Sequence, residues 1–315
     1  MSAKRLIEKI LEKNSILCVG LDPVVNQLPK ELKEEIVANG RTLESAAKAV
    51  LKFNKAIIDT IADLVAVVKP QSAYYEQLGI EGIKAYQETV SYAQSKGLYV
   101  IADIKRGDIG STSAAYANAH LGEVDILGVS HTVFHADAIT INPYLGDDSN
   151  NEFYKVAKKV EGMNFLLVKT SNPSSHQLQN KVSDSKNIFE WVASTINENP
   201  YNEVNEYGYS DIGAVVGATY PEELNQLRKM IPNTIFLIPG YGAQGGTAAD
   251  IVNGFDENGL GAIVNSSRGI IFAYEKENAE KPYVEYIREA TIKANEDLNK
   301  ALQFAGKSLG GKNAK

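Results

Sequence analysis

The sequence of 315 residues has a single cysteine, Cys18, and no long hydrophobic run. One cysteine cannot form an intramolecular disulfide or a cysteine-based zinc site, and this usage is typical of a reducing compartment. No stretch approaches the roughly 20 apolar residues of a membrane span. The N-terminus alternates charged and apolar residues and lacks the apolar segment of a signal peptide. We therefore expect a cytoplasmic protein that makes no membrane contact.

Positive charge is also scarce, because 32 Lys and Arg face 39 Asp and Glu, for a net charge of -7. Surfaces that bind nucleic acid carry clustered positive charge, so this class of partner is not expected. An anionic ligand would need a local positive site. Each Lys or Arg near a glycine-rich turn is therefore a candidate ligand.

Short β-branched runs recur along the chain, with amphipathic stretches of helical periodicity between them. The eight predicted strands are Ser15–Leu21, Leu64–Lys69, Leu98–Asp103, Ala138–Ile141, Asn164–Thr170, Ile212–Gly217, Thr234–Ile238 and Gly261–Asn265. The main predicted helices are Leu43–Ile61, Gly82–Lys96, Ala115–Leu121, Glu152–Lys159, Asn187–Asn197, Pro221–Lys229 and Pro282–Leu302. Eight strand–helix units favour a (β/α)8 TIM barrel over an open doubly wound sheet.

The domain organisation follows from the same pattern. We expect one (β/α)8 barrel domain over residues 1–305. Ser171–Ser210 is rich in Asn, Ser and Glu and is predicted to be an insertion after the fifth strand. Residues 306–315 are rich in Gly and Lys and are predicted to form a mobile tail.

Charged residues gather at the predicted ends of the first three strands. They are Asp22, Lys69, Asp103 and Lys105, and functional residues of such barrels lie at the carboxyl ends of the strands. Asp103 and Lys105 are two positions apart, so in an extended strand they point to the same side, whereas Arg106 points to the other. The alternative is a network in which buried charges only neutralise one another. Convergence of four charges of alternating sign favours a catalytic cluster.

The segment PGYGAQGG after the seventh strand contains a literal GxGxxG at Gly240, Gly242 and Gly245. As a dinucleotide fingerprint it is weak, because it comes late in the chain and lacks an acidic residue at a suitable strand end. Together with SSRGI after the eighth strand, which contains Arg268, it fits the phosphate position of a barrel better. His131 and His135 have the spacing of a helical metal pair, but they have no carboxylate partner and precede the fourth strand. We expect no metal.

Five motifs together resemble the orotidine 5'-phosphate decarboxylase family: Asp22 in VGLDP, Lys69 in VVKPQ, DIKRGDIGST, PGYGAQGG and SSRGI. The resemblance extends from about Ile16 to Tyr274 and is closest to the longer bacterial and protozoal members. The DxKxxD core is shared with sugar-phosphate decarboxylases and synthases, whereas KRGDIGST with two phosphate loops is highly specific. The resemblance implies decarboxylation of orotidine 5'-monophosphate (OMP) to UMP, the last step of de novo pyrimidine biosynthesis, without a cofactor.

The resemblance also implies roles for individual residues. Asp103 would lie beside the substrate carboxylate, Lys105 would protonate C6 of the pyrimidine, and Lys69 and Asp108 would complete the charged network. Asp22 would bind a ribose hydroxyl.

Further contacts are implied at the subunit boundary and around the rest of the nucleotide. Asp108, Ile109 and Thr112 would reach into the site of a neighbouring subunit, which implies a homodimer with shared active sites. The remaining substrate-binding positions are Ser171 for the pyrimidine, Gln244 and Arg268 for the phosphate, and the backbone N–H groups of Gly245 and Gly269.

Two other functions remain open at this point. A sugar-phosphate enzyme of the same superfamily would use a divalent metal, but Lys69 occupies a position where an acidic ligand is expected. A binding module without turnover would have no physical need for the repulsive cluster of Asp103, Lys105 and Asp108.

Overall fold

Eight parallel strands form a closed barrel in the computed structural model, which describes residues 1–218, 221–242, 246–276 and 281–309. The strands are β1 (Leu17–Leu21), β2 (Val67–Pro70), β3 (Tyr99–Arg106), β4 (Ala138–Ile141), β5 (Met163–Lys169), β6 (Ile212–Val216), β7 (Phe236–Ile238) and β8 (Ala262–Ser266). Each strand pairs with its neighbours in sequence, and β8 closes the ring on β1. The predicted (β/α)8 barrel is confirmed, with every strand end within three residues of its prediction.

The strands are mostly apolar because they are covered on both faces, and their charged residues lie near their carboxyl ends. All residues of β1, β4 and β6 are buried, as expected for a parallel sheet with side chains filling the barrel on one face and helices packed on the other. Cys18 in β1 is fully buried, and burial raises the pKa of its thiol to about 12. It is a core residue.

Helices cover the outside of the barrel. They are α1 (Ser2–Lys13), α2 (Lys30–Ala38), α3 (Leu43–Ile61), α4 (Ala73–Glu76), α5 (Gly79–Ser95), α6 (Gly110–His120), α7 (Asp147–Val160), α8 (Ile188–Glu198), α9 (Pro221–Met230), α10 (Ala248–Ile251), α11 (Arg268–Ile271) and α12 (Tyr283–Phe304). The predicted bounds of α3 are confirmed, and Thr42 and Ser45 form a capping box at its start. Among the described residues, no helix is long and apolar enough to span a membrane.

The segment predicted as an insertion, 171–210, contains the helix that connects β5 to β6. This helix is α8, and it packs against β5 and α9. The additional chain consists of a 3-10 helix (Pro173–Gln177), a short hairpin (Val182–Ser183 with Lys186–Asn187) and the irregular stretch that precedes β6. The insertion therefore extends the two loops around a regular barrel helix.

A second hairpin, Val124–Ile126 with Val129–His131, lies between α6 and β4 and was not predicted. It places His131 in a strand, and His135 has a left-handed backbone (φ 50°). The helical spacing that suggested a metal pair is therefore absent. At the other end of the chain, residues 310–315 lie outside the described residues, so the mobility of the 306–315 tail stays a prediction.

Arg228 of α9 supports the end of the barrel opposite the strand carboxyl ends. Its guanidinium stacks on Phe236, 3.8 Å from the ring centroid. It donates hydrogen bonds to the carbonyl oxygens of Ile231, Pro232, Gly254 and Gly261. One side chain therefore joins α9 to β7 and to the segment that leads into β8.

We expect Arg228→Ala to lower the free energy of unfolding by about 3 kcal/mol, because part-buried carbonyls would lose a charged donor. Lys229→Ala, an exposed neighbour on the same helix, should change it by less than about 0.5 kcal/mol. Urea unfolding of both variants measures the difference. Equal stabilities would contradict the structural role of Arg228.

Candidate active site

A cavity of about 470 Å³ opens at the carboxyl ends of the barrel strands. Six of the residues predicted for the site line it, namely Asp22, Lys69, Asp103, Lys105, Ser171 and Arg268. They come from the ends of β1, β2, β3, β5 and β8. The barrel thus brings together residues that are separated by more than three quarters of the chain, from Asp22 to Arg268.

The Asp103 carboxylate lies between two ammonium groups. Its Oδ2 is 2.6 Å from Lys69 Nζ, and its Oδ1 is 2.5 Å from Lys105 Nζ. Asp103 and Lys69 are 4% and 5% exposed, whereas the Lys105 side chain is 42% exposed and reaches into the open cavity. The prediction that Asp103 and Lys105 point to the same side of the strand is confirmed.

The mutual attraction of these charged groups affects their pKa values more than their burial does. Burial alone would raise the pKa of Asp103, but the charges of Lys69 and Lys105 hold it well below its ordinary value. Burial would lower the pKa of Lys69, but the charges of Asp103 and Asp22 raise it above its ordinary value. Both buried groups therefore remain ionised at neutral pH.

The backbone of β3 is irregular where it presents Lys105. Pairing between β3 and β4 shifts between Ala102 and Arg106, and Lys105 has a left-handed conformation (φ 45°). Its N–H group donates to Thr140 Oγ1 at 2.9 Å, and the Thr140 hydroxyl donates to Asp103 Oδ1 at 2.8 Å. Thr140 was missed in the sequence, although a polar residue inside the apolar run AITI was a signal for it.

Arg106 points away from the cavity, as predicted. It donates to the carbonyl of Ile104 at 2.9 Å, forms an ion pair with Glu76 and stacks on Tyr116. The positive charge of Arg106 is therefore neutralised outside the cavity.

Two buried acceptors near β1 and β8 are available to a ligand. Asp22 Oδ1 and Asn265 Oδ1 are buried without a hydrogen-bond partner among the described residues, and both residues line the cavity. Gly20 allows close approach of Ser267, because a Cβ at this position would lie 1.9 Å from the Ser267 hydroxyl oxygen. Asn265 lines the cavity and was not singled out in the sequence, whereas Ser267 belongs to the predicted phosphate segment SSRGI.

Side-chain contacts hold the end of β5 and the residue that follows it. Ser171 lines the cavity, and the preceding Thr170 is fixed by Gln179, which accepts from its N–H group (3.0 Å) and donates to its hydroxyl (2.7 Å). Lys169 is 1% exposed and pairs with Glu223 of α9 at 3.2 Å. Its side chain points outside the barrel, away from the cavity, and ties the segment to the helical layer.

The remaining predicted residues divide into two groups. Asp108, Ile109 and Thr112 do not line the cavity of their own chain, and Ile109 is 62% exposed. Gly269 follows Arg268 in α11 but does not line the cavity. Gln244 and Gly245 lie outside the described residues.

The described ends of the PGYGAQGG loop come close together. Gly246 donates to the carbonyl of Gly240 at 3.1 Å, and Gly242 donates to the carbonyl of Gly246 at 2.9 Å. Gly240 and Tyr241 line the cavity beside Arg268. The described start of the loop therefore borders the same cavity as the charged cluster, at its β7 and β8 side.

The donor set of the cavity does not suit a metal ion. Both oxygens of Asp103 are bound by lysines, and divalent metals prefer several free carboxylate or imidazole ligands. Within the described part of the chain, there is no group of three or more His, Cys, Asp and Glu that could bind a metal.

Comparison with known proteins adds independent findings. The model of the orotidine 5'-phosphate decarboxylase / HUMPS family matches residues 15–283. A Rhodopirellula baltica protein named orotidine 5'-phosphate decarboxylase is 44% identical over 94% of this chain and 98% of its own. One of the same name from Clostridium perfringens (strain SM101) is 40% identical over 96% and 99%. The structure of Leishmania donovani OMP decarboxylase superposes with a TM-score of 0.72 at 30% identity, covering 96% of this chain and 99% of its own.

The lowered pKa of Asp103 makes stability depend on pH in a defined direction. Its carboxyl group ionises at lower pH in the folded state than in the unfolded chain, so its contribution is complete above about pH 4 and is lost as the pH falls further. We expect the free energy of unfolding to decrease on acidification. Its slope against pH should be shallower in Asp103→Asn than in the unsubstituted protein, by at most about 1.4 kcal/mol per pH unit. Urea unfolding at several pH values measures both slopes.

Asp63 is a control for this experiment, because its hydrogen bond to Arg288 also lowers the pKa of the carboxyl group but at an exposed position. Solvent screens such a pair, so Asp63→Asn should change the slope less than Asp103→Asn. A slope in Asp103→Asn equal to that of the unsubstituted protein would show that Asp103 is not the stabilising carboxylate.

Proposed function

The chain belongs to the orotidine 5'-phosphate decarboxylase / HUMPS family and is a carboxy-lyase that converts OMP to UMP in pyrimidine biosynthesis, and we propose that Lys105, Asp103 and Lys69 perform the reaction. The observation that supports this proposal most strongly is the Asp103 carboxylate bound between two ammonium groups at the cavity. A buried cluster of this kind fits a reaction in which negative charge develops on the substrate.

Loss of CO2 from C6 breaks a carbon–carbon bond and leaves its electron pair on C6. No adjacent carbonyl can delocalise this vinyl carbanion, so electrostatic stabilisation must supply most of the catalysis. The Lys105 ammonium stabilises the developing charge and then donates a proton to C6. Lys105 is left as a neutral amine and regains its proton from solvent.

Asp103 and Lys69 support this step by holding Lys105 and its carboxylate partner in place. Asp103 fixes Lys105 through the 2.5 Å contact, and Lys69 keeps Asp103 ionised. The substrate carboxylate lies beside Asp103 in this arrangement, so that its repulsion by Asp103 is relieved when CO2 departs. No metal or organic cofactor is required, because Lys105 supplies both the positive charge and the proton.

The other lining residues bind the parts of the nucleotide that do not react. Asp22 has a buried acceptor without a partner among the described residues and binds a ribose hydroxyl. Ser171 binds the pyrimidine. Arg268 binds the phosphate, with Gln244 and the N–H groups of Gly245 and Gly269, the first two lying outside the described residues. Contacts with the distant phosphate provide binding energy that holds the base against the charged cluster.

Asp108, Ile109 and Thr112 serve the site of a second subunit in a homodimer. The exposure of Ile109 and the position of all three residues outside their own cavity support this assignment. Asp108 then completes the charged network from across the interface. The cytoplasm is the proposed location, because the enzyme is metabolic and its one cysteine is buried and free.

The first test is the fall in ultraviolet absorbance when the purified protein is mixed with OMP in the presence of EDTA. The unsubstituted protein should produce UMP. Lys105→Ala should lower kcat by at least about 10³-fold, because it removes both the stabilising charge and the proton donor. UMP binding should survive within about threefold, because it depends on the ribose and phosphate contacts.

Arg268→Ala is the comparison variant. It should raise KM and weaken UMP binding, but it should lower kcat less than Lys105→Ala does, because it leaves the charged cluster intact. Near-normal turnover by Lys105→Ala would refute its role as proton donor. Loss of activity in EDTA, restored by a divalent metal, would contradict the metal-free mechanism.

Sharing of the active site is testable by mixing inactive variants. Asp108→Ala and Lys105→Ala subunits should each be nearly inactive alone. After mixing and subunit exchange, about a quarter of the sites should be complete, because half of the dimers are mixed and each has one intact site. Failure to regain activity, with mixed dimers demonstrated by mass spectrometry, would contradict a shared site.

A further inference from the structure

Thr140 is a buried residue of β4 that lines the cavity without an assigned role. It is 1% exposed and lies one position before the end of the strand. Its neighbours Ile139 and Ile141 are fully buried and apolar. We propose that the Thr140 hydroxyl is the positioning group for Lys105, acting on both its backbone and its carboxylate partner. This inference rests on the proposed roles of Lys105 and Asp103.

The first action of Thr140 is on the backbone of β3. Lys105 is in the left-handed region (φ 45°), a conformation that is unfavourable for residues other than glycine. The shift in pairing between Ala102 and Arg106 leaves the Lys105 N–H group outside the regular ladder to β4. Thr140 Oγ1 accepts this hydrogen bond at 2.9 Å. The hydroxyl therefore replaces a ladder contact and stabilises the conformation that turns Lys105 towards the cavity.

The second action is on the carboxylate that binds Lys105 Nζ. The Thr140 hydroxyl donates to Asp103 Oδ1 at 2.8 Å, and Lys105 Nζ contacts the same oxygen at 2.5 Å. Lys69 binds the other oxygen at 2.6 Å. The Asp103 carboxylate is thus fixed at both ends and cannot rotate freely. Its Oδ1 is consequently a hydrogen-bond acceptor with a defined position for the Lys105 ammonium.

The two hydrogen bonds use the full donor capacity of one hydroxyl and one of its acceptor sites. They connect the backbone of Lys105 to the carboxylate that binds the end of its own side chain. A Lys side chain has four rotatable bonds and loses much entropy when it is fixed. Restraint at both ends limits the positions that Nζ adopts near C6 of the substrate.

This arrangement predicts a specific kinetic effect. Thr140→Val keeps the shape of the side chain but removes both hydrogen bonds. Displacement of a reacting group by about 1 Å can lower the rate roughly 10²-fold, so kcat should fall by about that factor. KM for OMP and the affinity for UMP should stay within about threefold, because ribose and phosphate contacts lie elsewhere in the cavity.

The test combines four variants, each assayed for kcat, KM, UMP affinity and thermal unfolding. Thr140→Ser retains the hydroxyl and should restore kcat to within about threefold of the unsubstituted protein. Thr140→Ala removes the hydroxyl without adding a methyl group. It takes the place of Thr140→Val if the latter folds poorly, and the same fall in kcat is expected. Thr291→Val is the matched control, because Thr291 is fully buried in α12, donates to the carbonyl of Ile287 at 2.7 Å and does not line the cavity.

The proposal is overturned if Thr140→Val or a folded Thr140→Ala keeps kcat within about threefold, or if Thr140→Ser is as impaired as they are. An effect confined to KM would also overturn it. These outcomes differ from a failure of the proposed mechanism, because near-normal turnover by Lys105→Ala would show that failure directly. An inactive Lys105→Ala with a fully active Thr140→Val would refute only the positioning role.

Discussion

The ionised Asp103 carboxylate between Lys69 and Lys105 is the interaction on which the candidate site depends. Two ammonium groups this close would repel each other, and a single buried lysine would lose its proton. The shared carboxylate removes both problems and lets Lys69 remain charged at 5% exposure. Lys105, the more exposed of the two, is then free to present its charge to the cavity. The two lysines thus share one partner but differ in their exposure to the cavity.

Within β3, local irregularity is limited to the end of the strand, where this cluster is formed. The regular pairing of β3 with β2 is unaffected, and the shift occurs only on the side that faces β4. The closed barrel fixes the strands on either side, so it can stabilise one left-handed lysine at its rim. Thr140 then satisfies the backbone group that the irregularity leaves outside the ladder. The left-handed backbone of Lys105 and the hydrogen bond to Thr140 that stabilises it therefore lie within one pair of strands, β3 and β4.

The cavity is electrostatically asymmetric. Charged residues come from β1 to β3, whereas Leu167, Val215 and Leu237 form an apolar wall from β5 to β7. Arg268, after β8, provides positive charge at a separate point of the rim. An acidic protein thus has positive groups concentrated at one cavity. The apolar wall also lowers the local dielectric constant and strengthens the field of the lysines.

The sequence by itself determined the eight strands and the bounds of α3, because burial on two faces and helical periodicity are local properties. It also predicted the common direction of Asp103 and Lys105, but in the structure this direction depends on the left-handed backbone of Lys105 and the shift in pairing with β4, not on the period of a regular strand. It did not reveal Thr140 or Asn265, since each lies within a buried strand and acquires its role from residues far away in the chain. Likewise α8 was predicted within an insertion, although it is a regular barrel helix. Only the tertiary structure decided these points, because the register between strands, and not the pattern along one strand, determines which side chains meet at the rim.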